Sequence, residues 1–326
     1  IGTCNCRNVQ PCLGKTGKSM NPLRGIVLKL CSVAIFVAMA SLIKAAADVV
    51  PPGEAVFFRS AFAIPVIVMW LVATRAVKSG LATRNFLGHF WRGLAGATSM
   101  GFGFAGLGLL PLPEVTAIGY AAPLLAVIFA AMFLGEKVRA FRILSVALGM
   151  VGVVIILSPR LTALSDHGLG GAEALGAIVV LTGAVFAALA QVFVRRLVKV
   201  EKVSAIVFFF SLNAALLSLI TLPFGWIVPD ATTFAMLIGA GILGGLGQVL
   251  LTSSYRHADV SVIAPFEYAS MLLALIVGYT VFDETPTFVV LFGASLVVAA
   301  GIVIILRERH LGLERSRQRS SMTPQG

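Results

Sequence analysis

A chain of 326 residues that is 58% hydrophobic and 12% charged, with a mean hydropathy of +0.98, cannot coat a water-exposed globule, whose residues are normally about one quarter charged. Disorder is excluded by the same numbers, because disordered chains are polar and charge-rich. The net charge is +11; the basic residues stand in short clusters between apolar runs, a pattern of membrane topology and not of a nucleic-acid-binding patch.

Residues 1–19 carry Cys4, Cys6 and Cys12 and read as an unstructured leader ahead of Met20. They lack the apolar core and cleavage site of a signal peptide. No downstream Cys or His partners complete a zinc site, so no metal is expected. Apolar runs follow near 25–43, 54–74, 91–110, 113–134, 141–157, 173–194, 203–222, 233–254, 260–282 and 288–306. Each approaches the roughly 20 residues needed to cross a bilayer core of about 30 Å as a helix. The tightest junction is Leu110-Pro111-Leu112-Pro113, between the third and fourth runs. A basic tail, 308–326, closes the chain. With both termini on one side, every lysine and arginine except Lys44, Arg59 and Arg160 falls on that side. This side is expected to be the cytoplasm of a bacterial inner membrane. The fold class is therefore an all-α membrane protein with ten transmembrane helices.

The chain divides into similar halves, 22–160 and 172–307. Leu134-Gly135-Glu136 opens the last run of the first half, and Phe282-Asp283-Glu284 that of the second. Pro113-Glu114-Val115-Thr116 likewise matches Ala258-Asp259-Val260-Ser261. Five spans are an odd number, so the second half enters the membrane from the opposite side and the repeats are inverted, as in secondary carriers. Both the third and eighth runs hold G-x-G-x-x-G (Gly101, Gly103, Gly106; Gly239, Gly241, Gly244), but without the strand that a dinucleotide fingerprint requires. These glycines are expected to pack helices closely, in ladders such as Gly93, Ala97, Gly101 and Ala105.

Ionisable groups inside spans are costly, about 2.5–3.5 kcal/mol each on insertion scales, and so point to function. Glu267 stands seven residues past Val260, beside Pro265, which removes a backbone donor and opens the helix locally. With Tyr268 it could hold a cation, a proton, or a substrate amine or hydroxyl. Arg59 could meet an anionic or carbonyl group, or snorkel outward. Gln191, Asn213 and Gln248 are either path-lining groups or bonds between helices, and Tyr120, Trp91, Tyr255 and Tyr279 either stack on substrate or form an interfacial belt. Lys44 and Asp48 are expected to be solvated at the outer end of the first span. Glu136 and Glu284 are expected to cap the N-termini of the helices that follow them. They face opposite sides of the membrane, so they are not a catalytic pair.

The two five-span halves, Leu-Gly-Glu136 closing the fourth span, and Ala-Pro265-Phe-Glu267-Tyr268 opening the ninth resemble the ten-helix EamA-like branch of the drug/metabolite transporter superfamily over residues 22–307. The resemblance implies a basket of helices around a central cavity, moving small organic molecules without ATP or a bound cofactor. With Phe57-Phe58-Arg59-Ser60, it implies a metabolite carrier, riboflavin uptake being one candidate and export of amino acids or drugs the alternative. The expected path residues are Glu267, Arg59, Tyr268, Tyr120, Gln191 and Gln248. The expected partners are a small-molecule substrate and the lipid bilayer, with room for proton or cation coupling and for a homodimer, and no nucleic acid. A membrane-embedded enzyme or receptor is the rival class. No His-Glu-x-x-His, Gly-x-Ser-x-Gly or Walker loop supports catalysis or primary transport.

Overall fold

Lipid offers no partners to backbone N–H and C=O groups, so apolar runs crossing it must satisfy those groups internally. In the computed structural model, which describes residues 22–134, 140–167, 172–197, 200–254, 257 and 264–321, every regular element among the described residues is helical. In chain order they are α1 (Pro22–Ala46), α2 (Pro52–Ala61), α3 (Ala63–Ala73), α4 (Val77–Leu81), α5 (Phe86–Leu109), α6 (Leu112–Gly119) and α7 (Ala121–Leu134). Then come α8 (Ala140–His167), α9 (Ala172–Leu197), α10 (Val203–Ser218), α11 (Ala231–Ser254), α12 (Ala269–Phe282) and α13 (Phe288–Ser321). A 3-10 turn, Leu219–Phe224, extends α10, and another, Ala264–Tyr268, leads into α12. The chain is a ten-span membrane protein: α2–α3 and α6–α7 are each one interrupted span, and α4 is a short connector. Exposed Met132, Leu144, Leu272 and Phe292 give the bundle an apolar exterior, as lipid requires.

The interruptions have a common cause. Pro65 and Pro123 each stand three residues after a break, at Phe62 and Tyr120 respectively. Each lacks the N–H that would bond the carbonyl four residues back. The tight junction at Leu110-Pro111 is as expected, with α5 ending at Leu109 and α6 starting at Leu112.

Packing follows the repeat. The first span lies along the eighth (α1 on α11), and the third along the sixth (α5 on α9). Exchanging the halves converts one pair into the other. The second span packs on the seventh, the fourth on the ninth, and the fifth on the tenth; each of these pairs maps onto itself. An inverted repeat requires this pattern.

The buried side chains form two main clusters that cut across the halves. One joins Leu124, Ile156, Val180, Met271 and Val297, from α7, α8, α9, α12 and α13. The other joins Ile43, Val56, Phe104, Phe210 and Leu237, from α1, α2, α5, α10 and α11. Glycine packing is partly as expected. A Cβ at Gly241 would meet Phe62, one at Gly245 would meet Val66 at 2.8 Å, and one at Gly93 would meet Asn213 at 2.6 Å. Gly101 and Gly103, by contrast, have no neighbouring atom within 4 Å of that position among the described residues. The α5 ladder thus packs at Gly93 and opens at Gly101.

Candidate functional site

Against the first of these clusters, near the basic face, lies a cavity of about 580 Å³ bordered by Lys29, Tyr120, Gln191, Leu251, Glu267 and Tyr268. Its size suits a small organic ligand, for which pockets typically span about 300–1,000 Å³. Lys29 stands seven residues past Pro22 in α1, roughly 10 Å along the helix. Its side chain is 3% exposed and ion-pairs with Glu267, whose side chain is 54% exposed. The asymmetry matters: the lysine is the buried member and depends on the carboxylate, which remains open to other partners.

Glu267 sits where the ninth span is still a 3-10 turn. There the backbone is held by a short chain of hydroxyls. Ser270 Oγ donates to the Glu267 carbonyl at 2.7 Å, and the Tyr120 and Ser270 hydroxyls share a hydrogen bond at 2.5 Å. Tyr120 itself occupies the break in the fourth span. Its ring meets that of Tyr268 edge-on, with centroids 5.1 Å apart. The break in span four and the 3-10 entry to span nine therefore converge, placing two aromatic rings beside one ion pair. Tyr268 reaches α13, where its hydroxyl fills the space a side chain at Gly301 would need.

The opposite end of α1 is differently built. Lys44 Nζ lies 2.8 Å from Glu284 Oε1, with side chains 13% and 15% exposed. Lys44 also donates to the carbonyls of Leu107 and Leu110, at 3.1 and 2.9 Å. Leu112 N–H donates to Glu284 Oε2 at 2.8 Å. The left-handed Asp283 (φ 53°) turns the chain back after α12, a conformation that Asp tolerates better than most residues. One lysine and one carboxylate thereby tie α1, the α5–α6 junction and the α12–α13 link together.

These positions revise several expectations. Lys44 is held within this cluster, while Asp48 is exposed. Glu284 serves a helix N-terminus, but that of α6; α13 is capped by Thr287 Oγ1, which accepts from Val290 N–H at 3.4 Å. The reason is geometric: the turn at Asp283 aims Glu284 across the bundle. Glu136 lies outside the described residues. Tyr120, Gln191, Glu267 and Tyr268 share the cavity, whereas Gln248 does not border it. Arg59 is buried elsewhere, at 3% exposure, with its guanidinium carbon 5.7 Å from the centre of the Phe210 ring. Asn213 Nδ2 donates to the His89 carbonyl at 3.0 Å and so bonds α10 to α5. Trp91 and Tyr279 are exposed, and Tyr255 lies outside the described residues. Lys29 was missed because it was counted among the basic residues of one face, although it lies seven residues past the start of α1.

Residues 23–158 and 174–307 each match the sequence profile of the EamA-like transporter family, and residues 117–225 match that of solute carrier family 35. A pseudopaline exporter of Pseudomonas aeruginosa is 28% identical over 284 residues, 86% of this chain and 95% of its own. An S-adenosylmethionine uptake transporter of Rickettsia bellii is 27% identical over 259 residues, 78% of this chain and 84% of its own. A solved crystal structure superposes with a TM-score of 0.62 at 22% identity, covering 88% of this chain and 98% of that one, a likeness of fold.

Proposed function

This chain belongs to the EamA-like transporter family, and from that premise we propose that it is a secondary carrier for a small zwitterionic organic metabolite, working by alternating access. Its transport of small molecules across a membrane rests on the family; the cargo class rests on one observation, the Lys29–Glu267 pair bordering the cavity. A substrate ammonium group would take the place of Lys29 at Glu267, and a substrate carboxylate would compensate the lysine so released. Without that second contact Lys29 would be left as a buried, unpaired charge. Tyr268 and Tyr120 would border the apolar part of the cargo, and Gln191 would supply a neutral hydrogen bond. Arg59 and Gln248 have no place in this site.

In this reading both termini lie in the cytoplasm of a bacterial inner membrane, because the basic residues gather on their face. The cavity then opens inward, and the Lys44–Glu284 cluster closes the outer end. Glu267, once free of Lys29, is also the group through which a proton could couple. The riboflavin candidate draws no support from relatives named for pseudopaline and S-adenosylmethionine, and these two differ in direction. The test is counterflow in proteoliposomes with a panel of labelled amino-acid-like zwitterions, cations and neutral vitamins. Zwitterion exchange that is lost in E267Q and K29M supports the reading. Exchange of neutral vitamins alone, or full activity in both variants, overturns it; inverted and right-side-out vesicles then read the direction.

A further inference from the structure

A second group of buried charges lies apart from that cavity, between α2, α5 and α10. Arg59 on α2 and Arg92 on α5 approach the ring of Phe210 on α10, with guanidinium carbons 5.7 and 3.5 Å from its centroid. The Nε and Nη1 atoms of both arginines are buried without a hydrogen-bond acceptor among the described residues. Among the described residues, neither arginine forms an ion pair, and the two charges repel one another. The ring is no sufficient partner: a cation–π contact is worth about 0.5–2 kcal/mol, whereas burying an ion costs several. α2 and α10 also carry the Ser60 and Ser211 hydroxyls, both 0% exposed and both unpartnered. Every one of the unsatisfied arginine atoms is a donor, and both guanidinium groups are positive; on α2, Glu54 Oε1 is also buried without a partner among the described residues, while its Oε2 accepts from Ile227 N–H.

The backbone makes room for this arrangement. A Cβ at Gly96 would stand 2.7 Å from Phe210 Cε2 and 3.1 Å from Arg92 Nη1, so glycine leaves room on the surface of α5 for both groups. The same three helices contribute Val56, Leu94, Ala97 and Leu217 to a cavity of about 240 Å³, in which Val56 is one turn from Arg59. Two forked cations with free donors match an oxygen anion in charge, and the planar fork of each suits a pair of anion oxygens.

We propose that Arg59 and Arg92 form an oxyanion-binding site, taking a carboxylate or phosphate group, distinct from the Lys29–Glu267 cavity. The group belongs either to a free small anion or to a lipid headgroup, and the site shares no residue with the proposed substrate path. The experiment is thermal unfolding of the purified full chain at constant ionic strength, titrated with succinate or inorganic phosphate against chloride and neutral succinamide. In parallel, the protein is compared in phosphatidylglycerol and phosphatidylcholine nanodiscs. A saturable rise in Tm with succinate or phosphate, abolished in R59M and R92M but kept in E267Q, establishes a free-anion site. Stabilisation by phosphatidylglycerol alone, with the same dependence on both arginines, assigns the anion to lipid. If a methionine variant fails to fold, R92K replaces it; keeping the charge but losing the fork, it is expected to weaken binding by about tenfold, the loss of one charged hydrogen bond. No anion effect beyond the chloride control, or an effect unchanged in these variants, overturns the proposal. That outcome leaves the transport reading standing, since counterflow in E267Q tests it separately.

Discussion

Lys29–Glu267 and Lys44–Glu284 join the same two parts of the chain, α1 and the ninth span, at opposite ends of the bundle. Yet one pair couples a buried lysine to a carboxylate that is 54% exposed, while the other is shielded on both sides, at 13% and 15%. Among the described residues, only the second pair is reinforced by backbone groups, from Leu107, Leu110 and Leu112. On the proposed transport reading, the difference separates an exchangeable contact from a closure. A charge open to water can trade partners at little cost, whereas a shielded pair must be broken before its helices part.

The widest gap between the two ends should appear in transport. The double variant K29M/E267Q, which leaves no buried charge unpaired, is expected to lower exchange by about ten- to a hundredfold, the equivalent of a charged hydrogen bond of roughly 1.5–3 kcal/mol, with little change in Tm. Counterflow beside a melting curve reads both; a large fall in Tm with intact exchange would make the Lys29–Glu267 pair structural. K44M should show the reverse emphasis. It leaves Glu284 shielded with one backbone donor, at a cost of about 3 kcal/mol or less, the low end for a broken buried pair. Cysteine-accessibility labelling near Leu110 should rise as that end loosens, and unaltered labelling would show that the cluster is no closure.

A smaller effect is expected at Gly301. Alanine there occupies the place of the Tyr268 hydroxyl and should cost about 1–3 kcal/mol as overpacking. Apparent substrate affinity should fall more than the maximal rate, because Tyr268 moves while Glu267 stays; equal losses in both would contradict this. The smallest effect concerns a control outside both ends, in the connectors. Burial favours the neutral form of Glu201, but hydrogen bonds from Arg84 N–H, Thr83 Oγ1 and Asn85 N–H outweigh it and hold its carboxyl below the ordinary carboxylate range. A carboxyl lowered in the folded state adds stability above its unfolded pKa of about 4.3, and this is lost as pH falls through the lower folded value. E201Q should flatten the acid limb of the stability profile below about pH 4 and leave transport unchanged. An acid limb identical to that of the wild type would remove Glu201 from this role.

Much of the site was legible residue by residue. Glu267 next to Pro265 marked itself by charge and a missing donor, and Tyr268 followed from its place beside it. Tyr120 and Gln191 were visible as polar groups in apolar runs but carried no sign of where they faced. Lys29 was hidden by a rule that is correct on average, since lysines near span ends usually serve topology. Arg92 was absorbed by that same rule. The aim of Glu284 depended on one left-handed residue, Asp283, and no local pattern shows which distant helix a turned chain will meet.

Periodicity, hydropathy and the alternation of charge between runs were enough to establish a ten-span helical membrane protein of two inverted halves, because each depends on local composition and on the thickness of lipid. The partnership of spans one with eight and three with six, and the assembly of two cores across both halves, required the folded chain. So did the separation of one exchangeable lysine–carboxylate pair from one shielded pair. Burial and pairing depend on groups brought together over more than two hundred positions of sequence, as Lys29 and Glu267 are, and no local rule specifies which of two similar charges will keep its water.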